Sequence, residues 1–204
     1  MGRSSRRAEQ PRLGPTWGKP GLVYSIGEIN YWVPRGAFFQ ANRFLLPELI
    51  MLVTHQENEA RSGSSAWDLY AGVGLFSRAL AQKFSQVVAV EIAEPAATAL
   101  ASTKLPNLRA VKATTLDFLR ANVIQRERPD LIVLDPPRTG AGPEVCGLLA
   151  RIAAPTLIYV SCSPQTLPGD LAILAATGYA VAELHLLDLF PQTTHIETVA
   201  ILRR

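Results

Sequence analysis

Cysteine and histidine are scarce in this sequence of 204 residues. The two cysteines, Cys146 and Cys162, form no Cys-x-x-Cys pair and are too few for a disulfide framework, so both are expected to be reduced thiols. The three histidines, His55, His185 and His195, lie far apart in the sequence, which argues against a metal site of ordinary ligand spacing. We therefore expect a protein without a bound metal.

Long apolar segments are also missing. The N-terminus lacks the apolar core of a signal peptide, and no apolar run is long enough to span a bilayer. Charged residues make up 18% of the chain and hydrophobic residues 48%, which excludes a disordered chain and supplies one well-buried core. The expectation is a monomeric, cytoplasmic protein that has no membrane partner.

Positive charge is concentrated at the N-terminus, although the net charge is only +3. The first twenty residues contain one acid, Glu9, and these basic residues: Arg3, Arg6, Arg7, Arg12 and Lys19. Such a segment is either a solvated, disordered tail or a flexible arm that holds RNA phosphates. We divide the chain into a basic tail, residues 1–20, and a single domain, residues 21–204.

Strands and helices alternate through most of that domain. Residues 22–33 predict a β-hairpin that turns at Gly27-Glu28, and Phe44 to about Glu59 predict a helix. Apolar runs predict seven further strands, at Ser65–Leu69, Val87–Val90, Asn107–Lys112, Leu131–Leu134, Thr156–Val160, Tyr179–Leu187 and Thr198–Leu202. Helices are predicted between most of them, at Leu75–Lys83, Pro95–Thr103, Thr115–Asn122, Pro143–Ile152 and Leu167–Ala176.

This alternation predicts an α/β fold with a doubly wound, mostly parallel, seven-stranded sheet. Apolar runs such as Leu131–Leu134 suit strands that are covered on both faces. No helix separates the last two strands, so one of them is expected to run antiparallel at the end of the sheet. Ligands of such folds bind at the carboxyl ends of the parallel strands, so the residues that follow each strand are the candidates for a site.

A glycine turn follows the first strand of the predicted sheet. In Asp68-Leu69-Tyr70-Ala71-Gly72-Val73-Gly74, the two glycines allow a tight turn and a close approach to a ligand, although a plain strand-to-helix turn needs the same residues. A dinucleotide site would prefer a third glycine near Ser77, where there is none. Glu91 ends the second strand, where a carboxylate either binds the ribose hydroxyls of an adenosine or caps the next helix. Together these features favour a nucleoside cofactor without separating S-adenosylmethionine from NAD.

Polar residues also follow the fourth and fifth strands. Asp135 begins the loop Asp135-Pro136-Pro137-Arg138-Thr139-Gly140, which resembles the loop where methyltransferases face a planar base, but which also suits a rigid connection with Asp135 as a cap. Cys162 lies where a catalytic loop is expected and is either a reactive thiol or a small hydrophobe, whereas Cys146 falls within a helix pattern and is interpreted as core. Glu197 begins the final strand, and the residues alone favour a surface charge there over a base that points into a cleft.

Six segments of the chain resemble, in order, the RNA uracil-C5 methyltransferases, which make 5-methyluridine in tRNA and in 23S ribosomal RNA. They are Phe38-Phe39-Gln40-Ala41-Asn42, the glycine turn 68–74, Val90-Glu91, the loop 135–140, Ser161-Cys162-Ser163-Pro164 and Phe190-Pro191-Gln192-Thr193-Thr194-His195-Ile196-Glu197. The resemblance implies a class I, Rossmann-like methyltransferase that depends on S-adenosylmethionine and acts on tRNA or rRNA.

Roles for individual residues follow from the same resemblance. Cys162 is implied to be the nucleophile that adds to C6 of uracil, and Glu197 the base that removes the C5 proton. A thiolate suits the first role because it is a strong nucleophile, and a carboxylate suits the second because the proton must leave before the thiol can. The residues implied to bind S-adenosylmethionine are Gln40, Tyr70, Gly72, Gly74, Glu91 and Asp135.

Members of the family usually carry an N-terminal RNA-binding β-barrel and often a four-cysteine iron–sulfur site. Neither has a counterpart in this sequence, so we expect a minimal form without that domain, an iron–sulfur cluster or a metal. Two other interpretations stay open. An RNA cytosine-C5 methyltransferase typically has a second cysteine in the loop after the fourth strand, where this chain has Pro137 and Arg138. The other is a non-catalytic relic that binds RNA or the cofactor.

Overall fold

A computed structural model describes residues 17–57 and 59–204, so most of the predicted basic tail, with its four arginines, lies outside the described residues. The strands are β1 (Gly21–Ile26), β2 (Ile29–Pro34), β3 (His55–Gln56), β4 (Glu59–Ala60), β5 (Gly63–Leu69), β6 (Phe84–Glu91), β7 (Leu108–Lys112), β8 (Leu131–Leu134), β9 (Thr156–Ser161), β10 (Ala180–Leu187) and β11 (Glu197–Arg203). The helices are α1 (Leu46–Thr54), α2 (Leu75–Leu80), α3 (Glu94–Ala101), α4 (Thr115–Gln125), α5 (Gly142–Ile152) and α6 (Leu167–Ala176).

A seven-stranded sheet with helices on both faces forms the centre of the molecule. Its strand order is β10-β11-β9-β8-β5-β6-β7, and β5, β6, β7, β8 and β9 are parallel, which confirms the predicted doubly wound sheet. Residues of β8 alternate between two apolar clusters: Leu131 and Val133 pack with α1 and α2, whereas Ile132 and Leu134 pack with α4, α5 and α6. Both faces of the sheet are therefore buried, as continuous apolar strands require.

The antiparallel strand lies inside the sheet and not at its end, where the sequence predicted it. β11 is antiparallel, as predicted for one of the last two strands, but it inserts between β9 and β10 instead of lying at the end of the sheet. The burial of the two strands explains this order. Residues 197–202 are all buried, whereas β10 exposes side chains such as Leu184 and Leu186 and occupies the edge.

The N-terminal hairpin forms as predicted, with its turn at Gly27-Glu28. It is attached to α2 by two hydrogen bonds. The Tyr31 hydroxyl donates to the carbonyl oxygen of Leu75 at 3.1 Å, and the Arg78 guanidinium donates to the carbonyl oxygen of Asn30 at 2.6 Å. Arg78 also lies over the Tyr31 ring, 4.7 Å from its centroid. The hairpin thus covers the helix that follows the glycine turn.

Helix α1 is shorter than predicted. It ends at Thr54, and the predicted last turn instead forms the short antiparallel pair β3–β4, with Glu57 in a left-handed turn at φ 50°. The polar residues after Thr54 offer no apolar face for the core, so nothing favours continuing the helix. Within the described residues no helix is both long and apolar enough to cross a membrane.

Candidate active site

Four of the predicted site residues lie together at one edge of the sheet. Tyr70, Asp135 and Cys162 directly follow β5, β8 and β9, and Glu91 is the last residue of β6. The parallel register pairs Leu69 with both Val90 and Leu134, and Leu134 with Tyr159. β5 and β8 therefore end level, and β6 and β9 continue only one and two residues further. The strand order reverses between β5 and β8, in the middle of this edge. Ligands of doubly wound sheets bind at such a reversal point.

The antiparallel direction of β11 brings Glu197 to the same edge. Thr198 pairs with Ser161, so Glu197 at the start of β11 and Cys162 just beyond β9 occupy the next opposed positions. Glu197 is 0% exposed, and neither of its carboxylate oxygens has a hydrogen-bond partner among the described residues. The interpretation of Glu197 as a surface charge is therefore wrong, because its neighbours in the sheet enclose it.

The carboxyl groups at this edge titrate abnormally. Burial raises the pKa of Glu197 to about 7 and, with the charge of Glu91 as a smaller contribution, that of Asp68 also to about 7. Burial and the charges of Glu197 and Asp68 raise the pKa of Asp135 well above its usual range. A positively charged ligand would stabilise the ionised forms of these carboxyl groups and lower their pKa values.

The thiol of Cys162 is partly exposed, in contrast to that of Cys146. Burial, followed by the charges of Glu197 and Asp135, raises the pKa of Cys162, and the Arg138 guanidinium opposes this shift. Cys146 is fully buried in α5, as predicted for a core residue, and burial raises its pKa to about 12. Only one of the two thiols is therefore accessible to a substrate.

The glycine turn is held by acidic side chains. Gly72 and Gly74 have φ values of 56° and 91°, a left-handed conformation that favours glycine. Glu91 Oε2 accepts a hydrogen bond from the backbone N–H of Gly72 at 2.8 Å, and its Oε1 accepts one from Ala93 at 2.6 Å. Asp68 Oδ2 accepts one from the backbone N–H of Ser77 at 2.7 Å, in the first turn of α2. These hydrogen bonds therefore fix the backbone conformation of the turn without a ligand.

Tyr70 and Gln40 are two further residues predicted to bind the cofactor. Tyr70 follows β5 in the left-handed region, at φ 63°, and burial raises the pKa of its partly buried phenol. Gln40 lies on the segment between β2 and α1, is 6% exposed, and has no partner for its Oε1 among the described residues. A buried amide oxygen without a donor is costly unless a ligand supplies one.

Asp68 and Arg138 lie within the sequence motifs, but the motifs predicted no role for either residue. Asp68 is fully buried, and its carboxylate joins the end of β5 to the start of α2. The only signal for it was an acid near a strand end, which surface residues also produce. Arg138 is exposed, and its effect on Cys162 depends on how two distant loops meet. Across residues 17–57 and 59–204, no group of three or more His, Cys, Asp or Glu side chains is arranged to hold a metal ion.

Several known proteins resemble this chain in sequence and in structure. A protein of Thermotoga maritima described as an uncharacterized RNA methyltransferase is 37% identical over 190 residues, which are 91% of this chain and 42% of that protein. The 23S rRNA (uracil(747)-C(5))-methyltransferase RlmC of Xenorhabdus nematophila is 33% identical over 186 residues, 91% of this chain and 49% of the relative. The crystal structure of Pyrococcus abyssi tRNA (uracil-54, C5)-methyltransferase in complex with S-adenosyl-L-homocysteine has a TM-score of 0.76 and 26% identity, over 98% of this chain and 48% of that one.

The chain thus spans less than half the length of these relatives. Residues 22–204 match the family described as tRNA (Uracil-5-)-methyltransferase. That range contains the hairpin except its first residue, Gly21, the whole seven-stranded sheet and every residue of the candidate site. The chain therefore belongs to the tRNA (uracil-5-)-methyltransferase family.

Proposed function

We propose that this chain provides the catalytic domain of an S-adenosylmethionine-dependent methyltransferase that methylates carbon 5 of uracil in RNA. The observation that carries the proposal is that the accessible Cys162 thiol lies beside the buried Glu197 carboxylate, which has no hydrogen-bond partner among the described residues, at the carboxyl edge of the sheet. This reaction requires one nucleophile and one base from the protein. The names of the tRNA and 23S rRNA uracil methyltransferases among its relatives support RNA as the substrate.

The residues of the glycine turn fit S-adenosylmethionine. A Cβ added at Gly72 would meet no atom within 4 Å, so the backbone there borders open space. The Glu91 oxygens each accept one backbone N–H and keep lone pairs for ribose hydroxyls, and Gln40 Oε1 offers a buried acceptor. The carboxyl groups of Asp68 and Asp135 suit a cationic sulfonium. When bound, the cofactor supplies an electrophilic methyl group.

Cys162 begins the reaction as the nucleophile. Its thiolate adds to C6 of uracil, and the electron pair of the C5–C6 double bond moves to C5 and the neighbouring carbonyl. The cofactor would supply the methyl group that bonds to C5, and the electron pair of the broken carbon–sulfur bond would stay with sulfur. C5 now carries both the methyl group and its original proton. Arg138 supports the first step because its positive charge favours the thiolate.

Glu197 completes the reaction as the base. Its carboxylate removes the C5 proton, the electron pair of that bond restores the C5–C6 double bond, and Cys162 leaves as a thiolate. Burial raises the pKa of Glu197 to about 7, which makes its ionised form a stronger base than an exposed carboxylate. The target uracil must leave its stack to reach the thiol, at a cost of a few kcal/mol.

Transfer of labelled methyl groups to RNA that lacks 5-methyluridine tests this function. The protein should release the label as 5-methyluridine after digestion of the RNA, and Cys162→Ala should abolish the transfer. Cys146→Ala is the matched control and should retain activity, because that thiol is enclosed in α5. Label in 5-methylcytidine, or undiminished activity of Cys162→Ala, would contradict the proposal.

A further inference from the structure

Asp170, in the first turn of α6, accepts hydrogen bonds from two other elements. Its Oδ2 accepts from the backbone N–H of Ala141 at 2.8 Å and from the hydroxyl of Tyr159 at 2.6 Å, and its Oδ1 accepts from the backbone N–H of Gly142 at 3.1 Å. The side chain is 6% exposed. Buried carboxylates with three donors hold their partners firmly, since charge-assisted hydrogen bonds are about twice as strong as neutral ones.

The two backbone donors, Ala141 and Gly142, lie where the loop that links β8 to α5 ends. This loop is stiff, because Pro136 and Pro137 restrict its backbone and Gly140 donates back to the carbonyl oxygen of Pro137 at 2.8 Å. It also approaches Asp170 too closely for a side chain: a Cβ at Gly140 would lie 2.7 Å from Asp170 Oδ2. Asp135 is held at the near end, where its backbone N–H donates to the carbonyl oxygen of Leu69 at 3.3 Å, so fixing the far end chiefly fixes Arg138.

The same segment that fixes this loop also carries the thiol. Cys162 follows β9 and leads through residues 163–166 into α6. Within that connection, Ser163 donates its backbone N–H to Ser161 Oγ at 3.1 Å, and Thr166 Oγ1 donates to the carbonyl oxygen of Arg138 at 3.2 Å. The loop of Arg138 and the loop of Cys162 are thus joined at two points, Thr166 and Asp170.

We propose that Asp170 is a positioning residue that fixes the far end of the 135–141 loop against the Cys162 loop and so sets the distance of Arg138 from the thiol. Its role in methyl transfer rests on the proposed function, whereas the positioning itself does not. The carboxylate is required because all three partners donate hydrogen bonds. An asparagine would turn an N–H group toward one of these donors.

Alkylation of Cys162 by iodoacetamide, followed as a function of pH without RNA or methyl donor, measures the positioning directly. The thiol faces Glu197 of β11 and Asp135 and Arg138 of the 135–141 loop. Asp170→Asn should raise its apparent pKa by half a unit or more, which slows alkylation at pH 8 by about threefold. Asp117→Asn is the matched control, because Asp117 is an exposed acid in the first turn of α4. It should leave the apparent pKa of Cys162 and its rate of alkylation unchanged.

A double-variant cycle separates positioning from general loosening of the structure. If Asp170 acts through the loop, Asp170→Asn should have no further effect on alkylation once Arg138→Ala is present. An unchanged thiol pKa in folded Asp170→Asn, or the same effect with and without Arg138, would overturn the proposal.

A second variant keeps the test valid if Asp170→Asn fails to fold. Thr166→Val removes only the bond to Arg138 and should shift the thiol pKa in the same direction, and Thr166→Ser should restore it. If Thr166→Val and Thr166→Ser have the same thiol pKa, the proposal is contradicted. In methyl transfer, Asp170→Asn should lower kcat by about tenfold to a hundredfold with little change in KM for RNA. An altered alkylation profile in a protein that transfers no methyl group would contradict the proposed function alone.

Discussion

Glu197, the first residue of β11, and Cys162, which directly follows β9, lie one residue beyond the antiparallel Thr198–Ser161 pair. The acid is 0% exposed and the thiol is partly exposed. The two groups are close enough that the charge of Glu197 raises the pKa of the Cys162 thiol. Insertion of β11 beside β9 therefore brings together a thiol and a carboxyl group that are far apart in the sequence.

The first prediction concerns the covalent adduct. Glu197→Gln should accumulate a bond between Cys162 and the methylated uracil, because the C5 proton stays in place and the thiol cannot leave. Denaturing electrophoresis of the variant with labelled RNA and S-adenosylmethionine should show a protein–RNA band. The double variant Cys162→Ala/Glu197→Gln should show none. Turnover of Glu197→Gln at the rate of the unchanged protein would contradict the role of the acid.

The second prediction concerns stability as a function of pH. The pKa of Glu197 is raised from 4.5 to about 7, so between these values the folded protein holds a proton that the unfolded chain has released. The contribution of Glu197 to the free energy of unfolding therefore falls as pH rises from about 4.5 to 7. Glu197→Gln has no ionisable group at this position, so its stability does not show this decrease. From pH 5 to pH 8, the stability of the variant relative to the unchanged protein should rise by roughly 2–3 kcal/mol in urea denaturation.

An exposed acid provides the control for that measurement. Glu48 lies on the surface of α1, and Glu48→Gln should change stability by less than about 0.5 kcal/mol at either pH. A relative stability of Glu197→Gln that stays constant between pH 5 and pH 8 would show that the carboxyl group is not perturbed by burial.

The third prediction separates the two glycines of the turn. A Cβ at Gly74 would lie 2.8 Å from Leu100 Cδ1 in a left-handed conformation, so Gly74→Ala should lower the melting temperature. A Cβ at Gly72 meets no protein atom, so Gly72→Ala should cost only about 1 kcal/mol from its backbone conformation. It should nevertheless weaken S-adenosylmethionine binding by about tenfold or more, which corresponds to about 1.4 kcal/mol. Equal cofactor affinity of Gly72→Ala and the unchanged protein in calorimetry would place the cofactor elsewhere.

The fourth prediction concerns Glu91. Both of its oxygens accept backbone N–H groups, from Gly72 and Ala93, and Glu91→Gln replaces one of these acceptors with a donor. We expect the dissociation constant for S-adenosylmethionine to rise by about tenfold, because one charge-assisted hydrogen bond is worth about 1.5–3 kcal/mol. Glu94→Gln, at the exposed start of α3, is the control and should bind the cofactor normally. Loss of affinity in both variants would indicate a general charge effect.

Local patterns in the sequence were enough to predict most of the elements. The strand Leu131–Leu134 and the helix Leu167–Ala176 have the predicted bounds, because an apolar run between polar turns and a helical run of apolar residues each specify their own local structure. The same reasoning predicted Gly72 and Gly74 as a turn into a helix, since a left-handed backbone favours glycine. Recognition of Cys162 and Glu197 as a pair depended on family resemblance, because the residues alone left Cys162 undecided and favoured the wrong environment for Glu197.

The sequence by itself determined the alternation of strands and helices, the strand-end position of each polar residue, and hence the edge of the sheet where the site forms. Only the tertiary structure decided that β11 inserts beside β9, that Glu197 is enclosed next to Cys162, and that Asp170 binds the loop of Arg138. The physical reason is that these two kinds of feature depend on interactions of different range along the sequence. Secondary structure follows from the periodicity of neighbouring residues, whereas strand order, burial and the pKa shifts that burial causes depend on which distant segments pack together.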